Sequence, residues 1–104
     1  MVARESTTAV IKNNDICVVS SLKPGEKITA IQINSEKRAW LHETFDDKPV
    51  YVVRGECLPR FGFTFTSGEK YFIAYDVQSS LTEHHLLTVE LVVESQSNGQ
   101  IKIR

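Results

Sequence analysis

Residues 56–77 read ECLPRFGFTFTSGEKYFIAYDV, and this stretch decides the fold class. A cysteine and a proline open it, and then Phe61, Phe63 and Phe65 alternate with Gly62, Thr64 and Thr66. After Ser67-Gly68 a second alternation places Tyr71, Ile73, Tyr75 and Val77 at every other position. Successive side chains of a strand point to opposite faces, so apolar residues two apart line one buried face. The stretch therefore predicts two half-buried strands joined by a tight turn, the mark of an antiparallel β protein.

The flanking sequence extends that reading. Thr8 to Ile11 makes a short strand stopped by Asn13-Asn14-Asp15, and Ile16 to Ser20 makes the next. Pro24-Gly25 then breaks the pairing, because proline lacks a donor and glycine tolerates positive φ. Lys27 to Asn34 carries apolar residues on both faces, as a covered central strand does. Arg38 to Phe45 and Val50 to Val53 read as strands on either side of an Asp46-Asp47-Lys48-Pro49 turn. Ser80 and Glu83 have the spacing of a helix capping box, but Leu87, Val89, Leu91 and Val93 alternate, which favours a strand from Leu86 to Glu94. Asn98-Gly99 is a favoured two-residue hairpin turn, feeding a last strand over residues 100–104. Residues 1–7 read as a flexible N-terminal segment ahead of one domain spanning 8–104. Eight or nine strands without a clear helix predict an all-β, antiparallel β-sandwich of immunoglobulin-like type, with a small closed barrel as the alternative.

With 104 residues the chain is long enough for one real core, and 41% apolar with 24% charged residues is ordinary globular usage. Twelve basic and thirteen acidic side chains leave a net charge of −1. A nucleic-acid binder needs concentrated cationic surface to displace counterions, so nucleic acid is not an expected partner. The opening MVARESTTAV lacks the apolar segment of a signal peptide, which fits either a cytosolic start or one left by a removed export signal.

Cys17 and Cys57 belong to no CxxC pair and have no histidine at metal-ligand spacing. Cys17 sits in an apolar strand, where a reduced thiol packs comfortably, whereas Cys57 sits in a loop, where a free thiol is a liability outside the cell. Two free thiols and a Cys17–Cys57 disulfide are the alternatives, and the disulfide is favoured. It implies an oxidising compartment.

Residues with catalytic chemistry form no recognisable local pattern. His42, His84 and His85 have no nucleophile elbow near them, and Asp46-Asp47 before Lys48-Pro49 reads as a solvated turn rather than an acid–base pair. The five glycines stand singly at turns, so no phosphate-cradling loop is present. The alternating phenylalanines read as core. No catalytic, cofactor or metal residue is assigned, and a binding module is expected rather than an enzyme.

Taken in order, Asn14-Asp15-Ile16-Cys17-Val18, Lys23-Pro24-Gly25-Glu26-Lys27-Ile28, Cys57-Leu58-Pro59 running into Phe61-Gly62-Phe63-Thr64-Phe65, and Gly68-Glu69-Lys70-Tyr71 carry a family resemblance. The chain resembles small enterobacterial periplasmic lipoproteins assigned to immunity in type VI secretion, over about Val10 to Ile103. The resemblance implies a β-rich periplasmic domain with paired cysteines matching Cys17 and Cys57. It also implies membrane attachment through a lipidated cysteine, a residue this chain lacks. The implied function is non-catalytic neutralisation of a toxic effector by tight protein contact, without a cofactor. Trp40, His42, Phe45, Asp46, Asp47 and Arg60 are the expected contact residues. An envelope structural or adaptor domain that pairs an edge strand with another protein is the alternative.

Overall fold

The computed structural model describes residues 3–36, 40–45, 47–60, 63–80 and 84–103. These form eight strands: β1 (Ala3–Ser6), β2 (Ala9–Lys12), β3 (Asp15–Val18), β4 (Lys27–Ser35), β5 (Trp40–Thr44), β6 (Lys70–Gln78), β7 (His85–Ser95) and β8 (Ile101–Ile103). No helix occurs among the described residues, so none there is long and apolar enough to cross a membrane. The larger sheet runs β1-β7-β6-β4-β5, with β8 pairing the far half of β7, while β2 and β3 form a separate two-stranded ribbon. Both sheets are open, and every pairing is antiparallel except β1 with β7.

The three long strands at the centre, β4, β6 and β7, own the core. Their register stacks Ile31, Tyr75 and Leu87 in one row across the sheet and Ile33, Ile73 and Val89 in the next. Tyr71, Ile73, Tyr75 and Val77 are all fully buried, as the period-two alternation requires. Ile16 and Val18 of the ribbon join the same apolar cluster, so the ribbon lies across this face of the large sheet. Each such side chain stabilises the fold by roughly 1.5–3 kcal/mol relative to exposure.

Turn chemistry fixes the connections. Lys12 pairs with Asp15, leaving Asn13 and Asn14 as a two-residue loop with φ of 52° and 56°. Two positive φ values define a type I′ hairpin turn, a conformation asparagine tolerates. The Asn14 side chain then donates to the Gly99 carbonyl (3.1 Å) and accepts from the Ile101 N–H (2.9 Å), tying this hairpin to the β7–β8 connection. At the Pro24-Gly25 turn the Glu26 N–H donates to the Lys23 carbonyl (3.0 Å), and the Glu26 carboxylate accepts the Lys23 N–H (2.7 Å).

Several elements differ from the sequence expectation. Ala3–Ser6, read as part of a flexible segment, is an edge strand; its residues are all exposed, so backbone pairing with β7 rather than burial holds it. Residues 63–66 form no ladder, and Phe61 and Gly62 lie outside the described residues. The alternation there is nevertheless real, since Phe63 and Phe65 pack against the core while Thr64 and Thr66 are exposed. The Val50–Val53 strand shrinks to one bridge between Val50 and Ile28. Asn98-Gly99 belongs to a longer loop, because Gln96 pairs with Gln100 across it and Gly99 (φ 83°) bonds back to Gln96. The start of the capping-box alternative, Leu81 to Glu83, lies outside the described residues.

Cys17 and Cys57 form a disulfide with Cα atoms 5.0 Å apart. Cys17 is buried and Cys57 exposed. Next to the bond, Val19 bridges Cys57, and the Leu58 N–H donates to the Val18 carbonyl (2.7 Å). The Ser20 N–H donates to Glu56 (2.8 Å) and the Gly55 N–H to Ser20 (2.9 Å). Residues 55–58 thus extend the ribbon, and Leu58 carries that extension into the core. The cross-link spans 40 positions, for which chain entropy gives about 4 kcal/mol. A Cys17→Ala/Cys57→Ala double variant is expected to lose about that much in urea unfolding. A loss below about 1 kcal/mol would assign the ribbon's attachment to packing alone.

Candidate functional site: the open face of the large sheet

The residues that alternate with the core ones line the other face of the large sheet. Across the strands, one row reads Arg4, Leu86, Asp76, Ala30, Thr44. The next reads Ser6, Thr88, Ala74, Gln32, His42, and the third Glu90, Phe72, Asn34. Ala30, Ala74 and Thr88 are only 6–8% exposed although they face away from the core. They are short, and taller neighbours shade them. The result is a hollow of about 180 Å³ floored by Ala30 and Ala74 and walled by Arg4, Gln32, His42, Phe72, Asp76 and Leu86. A second hollow of about 230 Å³ lies on the other side of Phe72, beside Asn34, Glu36, Lys70 and Glu90.

Charges around the hollows are partly paired. Asp76 meets His84 at 3.5 Å, and Lys70 meets Glu90 at 3.6 Å. His85 instead turns to the core side, near Glu5 (3.5 Å) and the buried Glu26 (3.9 Å). Among the described residues no histidine, cysteine and carboxylate set has metal-holding geometry.

The expected contact residues do not gather at one place. His42 walls the first hollow, and Trp40, two residues before it on β5, stands in register with Asn34. Phe45 is half-buried against the core and its N–H bonds to Thr29 (2.8 Å). Asp47 is exposed in the following turn, and Asp46 lies outside the described residues. Arg60 belongs to another constellation. It pairs with Asp15, donates to the Phe63 carbonyl (3.1 Å) and sits 5.7 Å over the Phe65 ring. Phe63, Phe65 and Tyr71 meet edge to face with centroids 4.9–5.7 Å apart, so the opening motif's described phenylalanines are packing residues. Sequence reading did not single out Arg4, Gln32, Phe72, Asp76 or Leu86. For Phe72 and Asp76 the signal was present: they occupy the opposite phase of the alternation that buries Tyr71, Ile73 and Tyr75.

The same constellation fixes Tyr75, whose hydroxyl donates to the Pro59 carbonyl (2.8 Å). Burial pushes this phenol well above its usual range, with the Arg60 charge acting the other way as the smaller of the two effects. A raised folded-state value means the folded protein holds the proton more tightly than the unfolded chain. The stability this contributes is whole below about pH 10 and is lost as pH rises beyond it. Tyr75→Phe is expected to cost about 1 kcal/mol at neutral pH and to flatten the alkaline decline, as read by denaturant midpoints from pH 8 to 11. An unchanged decline in the variant would assign alkaline sensitivity to other groups.

No curated protein and no solved structure matches the chain. One family model matches residues 4–96, from β1 through the end of β7, and its description is "Domain of unknown function (DUF7480)". With nearly the whole of both sheets inside that match, the chain belongs to the DUF7480 family.

Proposed function

We propose that the chain is a periplasmic, non-catalytic binding protein of immunity type, which neutralises a secreted toxic effector by tight contact. The observation that carries the reading is the open sheet face, where two hollows flank Phe72 on a scaffold braced from behind by a disulfide-tied ribbon. Blocking an effector requires a rigid complementary surface with a few buried anchors rather than reactive groups. The Cys17–Cys57 disulfide supports an oxidising compartment, and the type VI immunity assignment rests on the sequence resemblance.

The layout also supports the immunoglobulin-like sandwich. β5-β4-β6-β7 follows the C′-C-F-G order, and β2-β3 with residues 56–58 follows A-B-E in the opposing layer. One departure stands out: the disulfide joins neighbours within the small layer, whereas antibody domains bridge the two layers.

A specific observation keeps the adaptor reading alongside. β5 ends the large sheet with β4 as its strand partner, and such an edge accepts a strand from another protein. Co-expression with a toxin encoded beside the gene, in a susceptible strain and with or without an export signal, tests the leading reading. Protection is expected only when the chain is exported. Phe72→Ala is expected to weaken the purified complex by about 30-fold, as loss of a central anchor does. Thr44→Pro, which removes a backbone donor that β5 turns away from β4 toward its open edge, is expected to leave affinity within about threefold. The opposite pattern, with Thr44→Pro abolishing binding and Phe72→Ala neutral, would establish edge pairing instead.

A further inference from the structure

We infer that the hollow between Arg4 and His42 is an anchor site for a carboxylate-bearing side chain of a protein partner, flanked in that partner by apolar residues. The inference deepens the binding-protein reading and rests on it. Three features of the hollow lead there.

The first is charge. Arg4 has no carboxylate partner among the described residues; the hollow's own carboxylate, Asp76, faces His84 (3.5 Å), and Glu90 beyond Phe72 faces Lys70 (3.6 Å). Arg4 therefore stands at the hollow's rim without a paired carboxylate, and a guanidinium presents a planar fork of donors that fits a carboxylate with two parallel bonds.

The second is the remaining polar lining. Gln32 and His42 are exposed on the two strands at the far side of the hollow, in register with each other. An amide and an imidazole supply further donors to an oxygen-rich group. The third is shape. The floor is Ala30 and Ala74, and the walls include the half-buried Phe72 and Leu86, so the hollow combines apolar surface with few convergent polar groups. A volume of about 180 Å³ suits one side chain and its neighbours' methyl groups rather than a drug-sized ligand.

The test uses the full chain and three capped peptides, N-acetyl-Leu-Glu-Leu-amide and its Gln and Lys counterparts, titrated by NMR. The glutamate peptide is expected to shift the Ala30, Ala74 and Gln32 resonances saturably and to bind at least about fivefold more tightly than the glutamine peptide, with affinity falling as salt rises. Arg4→Gln is expected to erase that preference. Arg4→Lys is expected to retain part of it, since the charge survives and the fork does not. Arg4 is exposed on an edge strand, and unchanged unfolding midpoints will show that both variants keep the fold. Equal binding of the three peptides, tighter binding of the lysine peptide, shifts confined to other residues, or no binding would each overturn the inference. Peptide discrimination that persists while no neighbouring toxin is neutralised would retain the site and remove the immunity role.

Discussion

The structure depends on the pleat of β6 and on its pairing with a long strand on each side. Because β4 and β7 both run antiparallel to it, β7 in continuous register and β4 with one irregularity between Ile28 and Ala30, each β6 residue from Tyr71 to Val77 has its facing direction fixed by two neighbours. Tyr71, Ile73, Tyr75 and Val77 cannot leave the core without moving Ile31, Ile33, Leu87 and Val89 with them. A shift of one residue would exchange the two faces entirely, burying Asp76 and exposing both tyrosines. That penalty makes the register single-valued. It also determines the open face, since Phe72, Ala74 and Asp76 are what the core alternation leaves over. The fold and the candidate site are two readings of one periodicity.

The parts that were legible in the sequence are those where burial and pairing coincide. β4, β6 and β7 carry alternating or continuous apolar residues because they are covered, and the Asn13-Asn14 turn announces itself by residue types that tolerate positive φ. Where the two signals separate, reading from sequence fails. β1 is paired and wholly exposed, so its Ala-Arg-Glu-Ser sequence has no periodic signal to find. Phe63 to Thr66 is the reverse case. Its alternation reports side-chain direction, and the residues do pack as alternation says, yet among the described residues no strand pairs with them to complete a ladder. Arg60 shows the matching limit for sites. A loop arginine looks available for a partner, but here Asp15, the Phe63 carbonyl and the Phe65 ring occupy it. Arg4, sitting in a stretch read as linker, carries its charge to the open face only because β1 pairs with β7.

The placement of the disulfide follows from the unequal sizes of the two layers. The large sheet brings eleven residues to the apolar cluster, from Ile28 on β4 to Val93 on β7. The ribbon brings Ile16 and Val18, and the neighbouring loops add Leu22 and Leu58. At roughly 1.5–3 kcal/mol per buried side chain, the large sheet's share far exceeds the ribbon's. The ribbon is therefore the part whose opening costs least, and it is where a covalent tie gains most. Cys17–Cys57 is located there, between β3 and the segment that carries Leu58 inward. Holding the ribbon down keeps Tyr71 and Tyr75 dry and so preserves the β6 register. The tie acts from the covered side, and the hollows around Phe72 on the other face stay open to a partner while the strands beneath them are fixed.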